Sequence, residues 1–135
     1  MKKILIIDDN PLNVSIFTKK VKNDNNYFVE ICMSLSDAER SILINRYDLI
    51  VIDIMMPTQN LRNRDELETG LVFYKEKIVP IVDAKKTKIL FWSNLNIETY
   101  NDFFGNALPE NTDFIHKDLN NENHLLEKIN SIYNN

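Results

Sequence analysis

Short apolar runs that stop abruptly at polar residues organise this chain. Ile4–Ile7 halts at Asp8-Asp9, Leu49–Ile52 at Asp53, and Ile89–Trp92 at Ser93. Runs this short, rich in Ile and Val and bounded by polar residues, predict strands covered on both faces. Tyr27–Met33 and Asp113–His116 are weaker strand candidates. Helix signals fall between the runs. Asn10-Pro11 sets a capping Asn before Pro at a first helical position, and Leu12, Ile16 and Val21 follow at roughly helical spacing. Ser36-Asp37-Ala38-Glu39 fits a capping box, with Ile42 and Leu43 on one face after it. Leu71 to Ile78 reads as a helix that stops near Pro80. Asn96 caps a stretch carrying Ile97, Tyr100 and Phe104, and Leu125, Leu126, Ile129, Ile132 and Tyr133 mark a final amphipathic helix.

Five alternations of strand and helix imply an α/β domain: a mostly parallel sheet with helices on both faces and right-handed crossovers. In such folds the functional crevice lies outside the carboxyl ends of the strands. No internal repeat or interdomain linker interrupts the pattern, so residues 1–135 are expected to form one domain. The stretch Thr58–Thr69 is the one long polar connection.

Composition narrows the function classes. Hydrophobic residues make up 44% of the chain, enough for a packed core. The net charge is −4 and no Lys/Arg cluster forms a basic stripe, which argues against nucleic acid as a partner. Cys32 is the only cysteine, so neither an intrachain disulfide nor a thiolate metal cage can form. The amino-terminal apolar run ends at Asp8-Asp9 without a small-residue cleavage site, and no apolar stretch approaches the ~20 residues of a membrane span. The expected location is cytoplasmic.

Side chains at the strand ends supply the candidate chemistry. Asp8 and Asp9 end the first strand, Asp53 the third, Ser93 the fourth and Lys117 the fifth. In a parallel sheet those ends share one edge, so the carboxylates, the hydroxyl and the ammonium converge. An Asp at a strand end also serves as a helix cap, but that does not account for the whole set. Two like charges 4 Å apart repel by roughly 4 kcal/mol at an effective dielectric of 20. Lys117 offsets part of this, and a hard divalent ion with oxygen ligands, Mg²⁺, offsets more. His116 and His124 lack ligand-like spacing, which disfavours zinc and leaves His116 as a strand-end or surface residue.

Four segments together resemble the receiver domain of two-component response regulators over nearly the whole chain. They are Ile6-Ile7-Asp8-Asp9-Asn10-Pro11-Leu12-Asn13, Asp48-Leu49-Ile50-Val51-Ile52-Asp53-Ile54-Met55-Met56-Pro57, Trp92-Ser93, and Phe114-Ile115-His116-Lys117. The resemblance implies a flavodoxin-like, doubly wound, five-stranded parallel sheet and a phosphoacceptor switch. It makes Asp53 the phosphoacceptor. Asp8, Asp9, Asp53 and the Met55 carbonyl become Mg²⁺ ligands, and Lys117 the partner of the phosphoryl group. Ser93 and Phe114 become the residues that reorient on phosphorylation. It implies a histidine kinase, a phosphotransfer protein or a small acyl phosphate as donor, with a homodimer among the assemblies such domains form. The chain departs from that family in four places. Asp118 follows Lys117 where proline is usual, the stretch between Pro57 and Gly70 is long, the loop before Phe114 lacks the usual glycine, and Phe114 lacks a tyrosine hydroxyl. The chain ends soon after the fifth helix, which fits a stand-alone receiver or one excised from a larger protein.

Three other readings compete. An aspartate-based phosphohydrolase would carry a second Asp two residues after its nucleophile, where this chain has Met55, which moves no protons. A nucleotide-binding module would need a Gly-rich loop, and only Gly70 and Gly105 are present. An unphosphorylated pseudo-receiver would act purely as an interaction module, a reading to which Asp118 and the long connection lend weight. Within that connection Arg62 and Arg64 are phosphoryl-binding candidates, against an inert insertion with both paired to Asp65, Glu66 and Glu68. Trp92, Phe103 and Phe104 have spacings of a core more than of a contact surface.

Overall fold

The chain alternates strand and helix: β1 (Lys2–Ile7), α1 (Pro11–Phe17), α2 (Lys19–Lys22), β2 (Tyr27–Cys32), α3 (Leu35–Ile44), β3 (Leu49–Ile52), α4 (Thr69–Phe73, running into a π-helical turn Tyr74–Ile78), β4 (Lys88–Ser93), α5 (Ile97–Phe104), β5 (Thr112–His116) and α6 (His124–Tyr133). The computed structural model describes residues 1–56, 68–94, 96–105, 107–118 and 120–133. The strands form one parallel sheet in the order β2-β1-β3-β4-β5. Ile4 pairs with Leu49, Ile50 with Ile89, and Phe91 with Phe114. The α/β architecture expected from the alternation is therefore the one observed.

The strand period of two splits the apolar runs between two cores. Ile4, Ile6, Leu49, Val51, Leu90 and Trp92 pack with Phe17, Val21, Leu125 and Ile129 on one face. Leu5, Ile7, Ile50, Ile52, Ile89 and Phe91 pack with Ala38, Ile42, Leu71 and Tyr100 on the other. Every residue of Ile4–Ile7 and of β3 is inaccessible to solvent, as continuous apolar runs in central strands require. The edge strands β2 and β5 mix buried and partly exposed positions, which is why their sequence signal was weaker.

Several local expectations are corrected. The cap of α3 is Ser34, whose side chain accepts the Asp37 N–H, two residues before the expected Ser36. That registration buries Ile42 and leaves Leu43 exposed. The first helix divides at Thr18, whose hydroxyl bonds back to the Val14 carbonyl, a side-chain bond that bends helices. Leu12 is exposed rather than part of the apolar face. The segment from Leu71 to Ile78 is α-helical only to Phe73; the wider turn then seats Tyr74 against Phe91 and Phe104, with ring centroids 5.4 and 5.9 Å apart. The caps at Asn10 and Asn96 are as expected, each side chain accepting a backbone N–H two residues on. Asn111 takes the left-handed conformation (φ 58°) immediately before β5. Its amide donates to the Ala84 and Thr87 carbonyls, tying that loop to the approach of β4. The long polar stretch Thr58–Thr69, with Arg62 and Arg64, lies outside the described residues except for Glu68 and the buried Thr69.

Candidate functional site

Backbone pairing carries the functional residues just past the strand ends. The Asp8 N–H donates to the Cys32 carbonyl, Asp53 to Ile7 and Lys117 to Ser93, at 3.1, 3.0 and 2.8 Å. Each residue is thus fixed by its neighbouring strand, and three sequence-distant side chains meet over β1, β3 and β5. The Lys117 ammonium lies 3.0 Å from Asp8 Oδ2 and 3.2 Å from Asp53 Oδ2, and all three residues are buried. Asp53 Oδ1 accepts the Met55 N–H at 3.1 Å, and Asp8 Oδ1 accepts the Asn10 N–H at 2.9 Å, which starts the turn into α1.

Asp9 joins the group: Asp8, Asp9 and Asp53 each offer a carboxylate oxygen, and these lie within 4.8 Å of one another. Asp9 is the most accessible of the three. Carboxylates outnumber the single ammonium among them. Burial pushes the Asp53 carboxyl up to about 6, with Asp8 adding to the rise and Lys117 opposing it. An all-oxygen donor set with excess negative charge fits a hard divalent cation such as Mg²⁺. Among the described residues this is the one cluster of potential metal-binding side chains, and neither histidine belongs to it.

The remaining predicted residues divide. Ser93, the last residue of β4, is buried at the same edge. Phe114 is half-buried on β5, its ring 5.7 Å from Tyr100 and packed against the core. Met55 is exposed. His116 is exposed and bonds through Nε2 to the Asn94 carbonyl, a strand-end role. Asp118 faces solvent and accepts the Asn120 N–H at 3.0 Å, so it does not compete for Lys117. The peptide joining Lys117 to Asp118 is trans. Trp92 is buried, and Phe103 and Phe104 are partly buried against the core, as their spacing suggested.

Two residues matter to the site in ways the sequence did not indicate. The indole of Trp92 lies beneath the Lys117 ammonium, 4.5 Å from ring centroid to nitrogen. Gly70, at the start of α4, sits directly on the loop after β3: its N–H donates to the Ile54 carbonyl at 2.6 Å. A Cβ there would lie 2.2 Å from the Asp53 carbonyl oxygen and 2.7 Å from Ile54 Cα. The available signal was that Gly70 is one of only two glycines in the chain. Because the obstacle is backbone, Gly70→Ala must displace the Asp53 loop. We expect a loss of about 1–3 kcal/mol, or on the order of 5–10 °C in melting temperature. A thermal melt matching wild type would show that α4 can move away freely.

Comparison with known proteins follows the same lines. A family model described as the response regulator receiver domain matches residues 4–130. Among curated proteins, a hybrid signal transduction histidine kinase B from Dictyostelium discoideum is 37% identical over 57 residues, 42% of this chain. The match spans only 3% of that kinase's length. Among solved structures, a two-component response regulator from Clostridium difficile superposes with a TM-score of 0.73 at 23% identity, covering 99% of this chain and 97% of that one. The receiver domain of a Francisella response regulator gives 0.72 at 20% identity, covering 99% and 98%. A Thermotoga maritima response regulator, solved in complex with Mg²⁺ and BeF, gives 0.65 at 22% identity, covering 98% and 99%. These structural likenesses establish the shared fold.

Proposed function

From the premise that the chain belongs to the response regulator receiver domain family, we propose that it is a phosphoacceptor switch in which Asp53 takes the phosphoryl group. The observation that carries this reading is the buried Asp8–Lys117–Asp53 arrangement, with Asp9 completing an oxygen cluster at its rim. Asp8, Asp9 and Asp53 would hold Mg²⁺, joined by the Met55 carbonyl. Bound there, the ion would supply positive charge against the oxygens of the transferring group.

The chain's own residues do the rest. An Asp53 carboxylate oxygen attacks phosphorus as the donor's P–O or P–N bond breaks, and the departing group keeps that electron pair. Lys117 already touches Asp53, so its ammonium is within reach of a phosphoryl oxygen without rearrangement of β5. The Met55 N–H holds the other Asp53 oxygen and orients the nucleophile. Ser93 reorients towards the phosphoryl group and Phe114 turns inward with it, which alters the surface beside β4 and β5. The donor is a histidine kinase, a phosphotransfer protein or a small acyl phosphate, and the output is a change in protein partner. Any enzymatic activity is confined to Mg²⁺-dependent self-phosphorylation and slow loss of the same group. We read residues 1–135 as one receiver unit, acting in the cytoplasm. Among the described residues no helix is long and apolar enough to cross a membrane.

Incubation with a small acyl phosphate and Mg²⁺, read by intact mass, tests the reading. One phosphoryl adduct per chain supports the switch. Multiple turnover would instead mark a phosphohydrolase, and no adduct an interaction module.

The acidic cluster makes a separate prediction. Asp9 is the accessible member of a set whose charges repel, so Asp9→Asn is expected to raise the melting temperature in chelator and to remove its dependence on Mg²⁺. The gain is on the order of 1 kcal/mol after screening, or a few degrees. A variant that melts below wild type without metal would make Asp9 a structural residue instead.

A further inference from the structure

We infer that Trp92 is a positioning residue for Lys117: its ring face holds the ammonium at the acceptor site while the carboxylates change partners. The inference rests on the reading of Asp53 as phosphoacceptor. Lys117 is a buried ammonium with three donors, two of which go to Asp8 and Asp53. The remaining side faces the indole of Trp92 at 4.5 Å from the centroid. A cation over an aromatic face, out of water, is among the stronger contacts of its kind.

The ring is itself held. Trp92 is 1% exposed, Phe17 of α1 meets it edge-on at 6.0 Å and 80°, and Ile115, Leu125 and Ile129 belong to the same packed cluster. The side chain therefore presents its face to Lys117 as a fixed surface. This differs from ordinary packing in one respect. An aliphatic residue of similar bulk would fill the space but would leave that side of the ammonium uncompensated. The distinction gains importance during phosphoryl transfer. A cation held by Asp8 and Asp53 would compete for the oxygens that hold Lys117, and a phosphoryl group would then cover an Asp53 oxygen. The indole takes no part in either event, so it keeps the ammonium in place throughout. Trp92 is the chain's only tryptophan, and the sequence marked it only as the residue before Ser93 and as a core aromatic.

The experiment compares Trp92→Leu, Trp92→Phe and wild type for the rate of adduct formation with acetyl phosphate at saturating Mg²⁺. Mg²⁺ affinity and melting temperature are measured in parallel. Trp92→Leu is expected to react about tenfold more slowly, while Trp92→Phe, which keeps a ring face, stays within about threefold of wild type. Mg²⁺ affinity should be the same in all three. A folded Trp92→Leu that reacts at the wild-type rate overturns the inference. So does equal slowing in the two variants, which would assign the effect to packing. A double-mutant cycle on the unfolding constant, with Trp92→Leu and Lys117→Met singly and together, reads the contact without phosphorylation. The combined effect should fall short of the product by about threefold or more, and strict multiplication overturns the inference. If wild type takes no adduct, the proposed function falls, and the cycle alone decides for or against the Trp92–Lys117 contact.

Discussion

Asp53→Asn is expected to take no phosphoryl group and, without metal at pH 8, to melt above wild type. The loss of the adduct follows from chemistry, since an amide is not a nucleophile towards phosphorus. The gain in stability follows from burial. Desolvation raises the Asp53 carboxyl to about 6 in the folded chain, against about 3.9 for an unfolded Asp. The folded state therefore binds a proton that the unfolded state releases. Asp53's contribution to stability is complete below about pH 4 and is lost as pH rises through 6. Asn does not titrate, so the variant should gain on wild type across that window by roughly 3 kcal/mol at most. Thermal melts of both proteins in chelator from pH 4 to 8 should diverge with rising pH. A pH-independent difference would mean that Asp53 is not held in the high range. A phosphoryl adduct persisting on the folded variant would place the acceptor elsewhere.

Lys117→Met should have the largest effect on the metal-free fold. Lys117 is the shared partner of Asp8 and Asp53, all three buried. Removing one member of a buried ionic group leaves the others uncompensated, at a cost of about 3–5 kcal/mol. For a chain of this length that is roughly 10–20 °C in melting temperature at pH 8. Mg²⁺ should restore more stability to the variant than it adds to wild type, because the ion replaces the missing positive charge. Acid should narrow the gap as well, since protonation of Asp53 removes its repulsion of Asp8. A variant that melts with wild type in chelator, and responds to Mg²⁺ no more strongly, would show that Lys117 contributes nothing net to the apo fold.

Both experiments address side chains that the strand-end pattern had already brought together. A buried central strand announces itself locally, because every residue between two covered faces must be apolar, as in Ile4–Ile7 and Leu49–Ile52. The polar residue that breaks such a run marks the sheet edge. Asp8, Asp9, Asp53, Ser93 and Lys117 were legible for that reason, before any distance was known. The Asn10 and Asn96 caps were legible too, because capping uses a side chain and a backbone group two residues apart. The cap of α3 was misplaced at Ser36, because Ser34 precedes the same apolar residues and its bond to the Asp37 N–H shows only in the structure.

The sequence by itself determined the order of elements, the residues of the central strands and the polar set at their carboxyl ends, because those are patterns of neighbours. Tertiary structure alone decided contacts between distant parts of the chain. The Gly70 backbone presses on Asp53 and Ile54, the Asn111 amide spans the Ala84 and Thr87 carbonyls, and the Trp92 ring lies beneath Lys117, 25 positions on. Trp92 in an apolar run looks like any core residue, and Gly70 like any helix start. What distinguishes them is the single group each one meets, and that depends on how β3, β4 and β5 lie side by side.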